Sequence, residues 1–139
     1  MANTFTAPFA QKFKASTAVC TVAIGGIGTS AVTGAVAIAQ GGANGSLITR
    51  LTAIPRGTIT ATSLVLFRVK GTAPTVYNLT DSVLMQAYTF ATTTAIPLTV
   101  FSNISEDTPL YLDSGDMLYV GSQVALAAGI VFYAEQADL

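Results

Sequence analysis

A chain of 139 residues with six basic and seven acidic side chains, a net charge of −1, one cysteine and neither histidine nor tryptophan excludes several functional classes at once. General nucleic-acid binding lacks its basic surface, an intrachain disulfide framework lacks a second thiol, and Ser-His or Cys-His nucleophilic catalysis lacks its base. The length fits one domain with a single core, and 20 Thr, 12 Val and 9 Ile favour strands, because side chains branched at Cβ lose rotamer freedom in helices and pack well on a pleated surface.

Residues 1–16, MANTFTAPFAQKFKAS, read as an N-terminal arm ahead of a domain spanning 17–139. Phe5, Phe9 and Phe13 recur every fourth residue, which on a helix makes one aromatic stripe. Pro8 is tolerated in a first helical turn, yet it biases Ala7 towards an extended backbone, so helix and extended arm both remain open. The arm either packs on its own domain or lies across a neighbouring subunit.

From Ala15 to Thr49 there is no charged side chain. Lys12 and Lys14 ahead of this apolar run imitate a signal peptide, and 18–39 approaches the length of a membrane span. Four glycines and several hydroxyls within it point instead to two buried strands, Thr17–Ile24 and Ser30–Ala39, around a Gly-Gly-Ile-Gly turn. A Gly-rich turn at 41–45 leads to a strand at Leu47–Ile54. Pro55-Arg56-Gly57 then reads as a three-residue hairpin loop, with Gly57 left-handed in a bulge, before a strand at Ile59–Val69. Within that strand Leu64 and Leu66 face one way and Val65 and Phe67 the other, so it is expected to be covered on both sides.

Residues 79–85 fit either a short helix capped by Thr80 or Asp81 or a strand running towards Phe90. Short strands follow at Leu98–Phe101, Leu110–Leu112, Met117–Leu126 and Ile130–Gln136, separated by turn-rich segments. About eight strands at this spacing predict an all-β, single-domain sandwich of jelly-roll or immunoglobulin-like type.

The motifs that carry chemistry are weak. Gly26-x-Gly28-x-x-Ala31 matches a dinucleotide fingerprint, but a β-branched, glycine-broken run follows it and no acid occurs before Asp81, so it reads as a turn. Asp113-Ser114-Gly115-Asp116, with Glu106 and Asp107, offers oxygen ligands for calcium without the EF-hand spacing. Asn78-Leu79-Thr80 and Asn103-Ile104-Ser105 match a glycosylation sequon. A carboxylate pair for glycoside hydrolysis is arithmetically possible among seven acids, yet there is no tryptophan to form a sugar platform. The chain reads as a non-enzyme with no cofactor, no metal and no small-molecule substrate.

Charge is informative in another way. Charged residues make up 9% of the chain, against about 25% in a typical soluble domain, so the surface has little to keep copies apart and a homo-oligomer is expected. All six bases (Lys12, Lys14, Arg50, Arg56, Arg68, Lys70) precede residue 71, and all seven acids follow residue 80. Pairing of the two halves within one subunit is the simpler expectation. Head-to-tail docking of a basic patch on an acidic one is the alternative. The candidate interface residues are Phe5, Phe9, Phe13, Arg50, Arg56, Arg68, Asp113, Asp116 and Glu135.

Thr49–Thr58 (TRLTAIPRGT), Asp81–Thr89 (DSVLMQAYT) and the ending Leu118–Glu135 (LYVGSQVALAAGIVFYAE) resemble small virion-associated proteins of tailed bacteriophages, of the decoration or cement type. The resemblance covers 49–135 discontinuously. It implies a structural protein of the virion that decorates or cements a capsid, with the major capsid protein or other virion proteins as partners and no nucleic acid or membrane. A receptor- or glycan-binding fibre module, using Tyr77, Tyr88, Tyr111 or Tyr133, is the alternative. A small self-assembling coat protein is a second.

Overall fold

The structure, a computed structural model, describes residues 12–139. The β-branched runs form nine strands: β1 (Lys12–Cys20), β2 (Val36–Gln40), β3 (Ser46–Pro55), β4 (Thr62–Val69), β5 (Asn78–Met85), β6 (Thr99–Val100), β7 (Leu110–Leu112), β8 (Met117–Ser122) and β9 (Ile130–Asp138). No helix occurs among the described residues.

The pairing is that of a chain folded in half. β1 pairs with β9, β2 with β8, β3 with both β6 and β7, and β4 with β5, all antiparallel. Rolling that ribbon brings β9 beside β3 and β8 beside β4, closing two sheets of order β1-β9-β3-β6 and β2-β8-β4-β5, with β7 also on β3. This is the jelly-roll branch of the expected sandwich, with β6 and β7 together taking the place of one partner strand for β3.

The hairpin expected over Leu47–Lys70 is not formed. β3 and β4 lie in different sheets, and the link between them crosses from one layer to the other. The Arg56 N–H bonds the Gly129 carbonyl, 3.0 Å away, instead of closing a local turn. The left-handed glycine at this end of the sandwich is Gly129 (φ 95°), in the β8–β9 crossing, and not Gly57. Consecutive strands that do pair are β4 and β5. Residues 79–85, which fitted helix or strand, lie in strand β5.

Between the sheets, Leu51, Ala53, Ile130, Phe132, Leu64, Leu66, Leu118, Val120 and Phe101 form the main core. Each of these larger side chains contributes about 1.5–3 kcal/mol by leaving water. Val65 and Phe67 turn to the opposite face of β4, where a second cluster forms with Val32, Ile24, Ile27, Tyr77 and Tyr119. The cover on that face is the charge-free segment 21–35. It is pinned by the bridges Ala23–Ser122 and Gly25–Thr33 and by the Tyr77 N–H donating to the Ser30 carbonyl at 3.0 Å. β4 is therefore buried on both faces, as its unbroken apolar run demands. The apolar residues expected to make two long strands are split: β1 starts earlier, at Lys12, β2 starts only at Val36, and what lies between is this cover. Gly26 (φ 75°) sits in its turn, where the glycine fingerprint falls, and Cys20 is a buried core residue.

Candidate interface

The two ends of the charge distribution meet within the subunit. Asp116, 2% exposed, accepts from Arg68 Nη2 at 3.0 Å and Lys70 Nζ at 2.9 Å, and Lys70 also pairs with Asp113. Burial would push the Asp116 pKa up. The hydrogen bonds from Lys70, Arg68 and the Gly71 N–H outweigh it and hold the carboxyl below its ordinary range. Two protein cations fill the position sequence reasoning allowed to calcium, and no group of three His, Cys, Asp or Glu suited to a metal occurs among the described residues.

A second ionic cluster closes the same end of the sandwich. Asp138 pairs with Lys14 Nζ at 2.6 Å and accepts from Ser46 Oγ and from Gln136 Nε2, the latter at 2.7 Å. Burial raises its pKa, but Lys14, Ser46 and Gln136 together lower it to about 2. Arg68, Asp113 and Asp116 thus act as an intramolecular clasp. Arg56 stands exposed at the far end, apart from both clusters.

Arg50, Glu135 and Phe13 are drawn together elsewhere. Alternation puts Phe13, Ala15, Thr17 and Val19 of β1, Tyr133 and Glu135 of β9, and Arg50 of β3 on the outer face of the β1-β9-β3 sheet, with Arg50 opposite Glu135 and Ala15 on its other side. Alternation places Arg50 and Glu135 there, and Lys14 of β1 also borders the groove on this face. Phe13 is 80% exposed, on a strand rather than a helix, and Val100 and Tyr111 add exposed apolar surface at the far edge of the sheet. Phe5 and Phe9 lie outside the described residues, as does all of the expected arm before Lys12.

A groove of about 480 Å3 runs along this face between Phe13, Lys14, Ala15, Tyr133, Glu135 and Glu106. It adjoins a hollow of about 360 Å3 that shares Thr49, Glu106 and Glu135 and adds Arg50 and Asp107. The Tyr133 hydroxyl donates to Glu135 Oε1 at 2.9 Å, and this bond raises the phenol pKa, with burial adding to it and Arg50 opposing it. Glu106 and Tyr133 are not among the expected interface residues. The strand alternation of Tyr133 with Glu135 was legible, but the return of the 105–107 loop over β3 was not.

The four tyrosines considered for ligand binding do not converge. Tyr77 packs edge-on against Phe67 and Tyr119, with ring centroids at 6.2 and 5.0 Å. Tyr88 packs against the main core, Tyr111 lies against Gly45, and only Tyr133 lines the groove. No helix among the described residues is long and apolar enough to cross a membrane.

No family model, curated protein or solved structure matches the chain.

Proposed function

We propose that the chain is a non-enzymatic structural protein of a virus particle, decorating or cementing the capsid of a tailed phage as an oligomer. The observation that carries this reading is the unequal treatment of the two outer sheet faces. One is sealed by the chain's own uncharged segment 21–35. The other has no such cover among the described residues and presents Phe13 at 80% exposure beside an open groove, which favours its being covered by another molecule. The jelly roll is an architecture that capsid proteins use, a supporting analogy at the level of fold, and the blocks at 49–58, 81–89 and 118–135 carry the phage resemblance. The major capsid protein or another virion protein is the partner on this reading.

The test is occupancy on purified particles that lack the protein. Removing residues 2–11 leaves β1 and the Lys14–Asp138 pair in the chain, and circular dichroism checks that the variant folds. Loss of occupancy supports anchoring through Phe5, Phe9 and the exposed face, whereas unchanged occupancy removes the arm from the account. A second reading, a glycan-binding module, draws on the groove itself, where Tyr133 and Phe13 stand beside Glu106, Glu135 and Gln136. Binding of the purified domain to host-surface glycans, lost on Tyr133→Ala, favours that reading over the first.

A further inference from the structure

We infer that β1 of one copy pairs antiparallel with β1 of a second copy, centred on Ser16, so that two β1-β9-β3-β6 sheets join into one. The inference rests on the oligomer proposed above and names the seam through which it forms.

An edge strand presents a row of unpaired backbone N–H and C=O groups, and proteins that stay apart blunt such edges with short strands, bulges or charge. Three of the four sheet edges here are blunted. β2 has five residues and a break in register between Ala37 and Ala39. β6 and β7 have two and three residues. β5 is irregular where its pairing shifts between Leu66 and Phe67 of β4, and it carries Asp81 in mid-strand. β1 has none of these protections over most of its length. It runs for nine residues against β9 without a shift, contains no proline, and has no charge from Ala15 to Cys20. Among the described residues, no backbone bond outside the sheet ladders involves 12–20, so the outer edge of β1 has no partner there.

The sequence of β1 is also complementary to itself. A two-fold contact sets residue i against j and j against i, and a one-residue slip would send every side chain to the wrong face. Outer-face residues Phe13, Ala15, Thr17 and Val19 must therefore meet one another. Only the register centred on Ser16 pairs all nine residues of the strand, and it sets Phe13 against Val19 and Ala15 against Thr17. Phe13 is 80% and Val19 39% exposed, the two large apolar side chains that β1 leaves in water. Each covers the other at both ends of the seam, as an aromatic with a β-branched neighbour across strands. Centring the pair on Ala15 sets Phe13 against Thr17, and centring it on Thr17 sets Val19 against Ala15. Either shift breaks both contacts.

The lysines favour the same direction. Antiparallel pairing sends those of the two copies to opposite ends of the seam. The two Lys14 positions then stand roughly 14 Å apart and the two Lys12 positions roughly 27 Å apart, beyond the ~8–10 Å over which exposed charges act at physiological salt. Parallel pairing would align them side by side.

The experiment uses differently tagged full-length chains, one carrying Ala15→Cys and the other Thr17→Cys, both at exposed positions, with buried Cys20 retained. Mixed and mildly oxidised, they are expected to give a disulfide-linked heterodimer in excess over either homodimer. A chain carrying Leu84→Cys, exposed on the β5 edge, is expected to give no such link. Ala15→Lys together with Thr17→Lys sets like charges opposite each other and is expected to abolish association on a sizing column, with the circular dichroism of the fold unchanged. Mixing that variant with one carrying Ala15→Glu and Thr17→Glu is expected to restore a heterodimer. Association that survives both lysine substitutions, with no link between positions 15 and 17 above the Leu84→Cys background, overturns the β1 seam while leaving assembly standing. Links formed chiefly between chains of the same single variant overturn the register centred on Ser16. A parent chain that stays monomeric at every concentration overturns the assembly role and this inference together, and linked dimers that fail to bind particles overturn the virion reading alone.

Discussion

The Ile24 side chain fills the space a residue larger than glycine would need at 121: an ideal Cβ on Gly121 would overlap Ile24 Cδ1. The sealed face of the β2-β8-β4-β5 sheet therefore depends on the absence of a side chain in β8. The same Cβ overlaps Ile24 Cγ1, so even alanine requires the whole Ile24 side chain to turn about its Cα–Cβ bond, and valine adds methyl groups beside the Ala35 Cα, 3.7 Å from that Cβ. Gly121→Val is expected to destabilise by about 1–3 kcal/mol, the usual cost of overpacking. Amide exchange would show faster opening at Gly25 and Thr33, whose N–H groups close the bridge of the cover.

Leu66 and Phe67 are neighbours in β4 and both fully buried, yet they belong to different clusters. Leu66→Ala empties space between the sheets and is expected to cost about 2–5 kcal/mol, lowering exchange protection throughout both sheets. Phe67→Ala removes the floor beneath segment 21–35 and the edge contact with Tyr77. Its loss of protection is expected to concentrate in 21–35, with a smaller fall in β3 and β9. Equal patterns for the two variants would mean that the two clusters unfold as one unit.

Asp116 holds Arg68 and Lys70 from a buried position, whereas Asp113 reaches Lys70 from an exposed one. Asp116→Asn keeps the shape and removes the charge. It is expected to cost roughly 2–3 kcal/mol at neutral pH, below the full cost of breaking a buried pair because the cations are partly solvated. Asp113→Asn is expected to cost under about 1 kcal/mol. Urea midpoints of the two variants check the ranking.

How far the sequence could be read follows from what is local and what is not. The unbroken apolar run Leu64–Phe67 announced a strand covered on both sides, and the structure covers it so. The same run could not reveal that its second cover comes from 21–35, because nothing within that segment states which sheet it lies on. The Pro-Arg-Gly sequence at 55–57 looks like a hairpin turn to any local rule. The Arg56 amide finds its partner instead across the sandwich at the Gly129 carbonyl, a pairing set by the rolled ribbon rather than by the turn residues. The separation of bases from acids along the chain foretold pairing between the halves. In a chain folded in half, early strands pair with late ones, and Lys14 meets Asp138 for that reason. The outer groove was half legible: Phe13, Arg50 and Glu135 stand out in the sequence as interface candidates, but the 105–107 wall needed the fold.

The pH dependence of stability is expected to centre on Asp138. Its carboxyl has a pKa of about 2 in the folded chain against an ordinary 3.8, so the unfolded chain binds the proton more tightly. Folding is therefore favoured by this group at pH values above about 4, and the contribution fades as pH falls towards 2, where the folded carboxyl also protonates. The shift corresponds to roughly 2 kcal/mol. Asp138→Asn is expected to be less stable than the parent by about that amount at pH 7. Urea unfolding at pH 7, 4 and 2.5 should show the gap narrowing at each step. Replacing Lys14 by Met should shrink the pH-dependent part by removing the largest favourable partner, while Ser46 and Gln136 keep some of it. A gap that stays constant across the three pH values would assign the effect of Asp138 to packing at the end of β9 rather than to its charge.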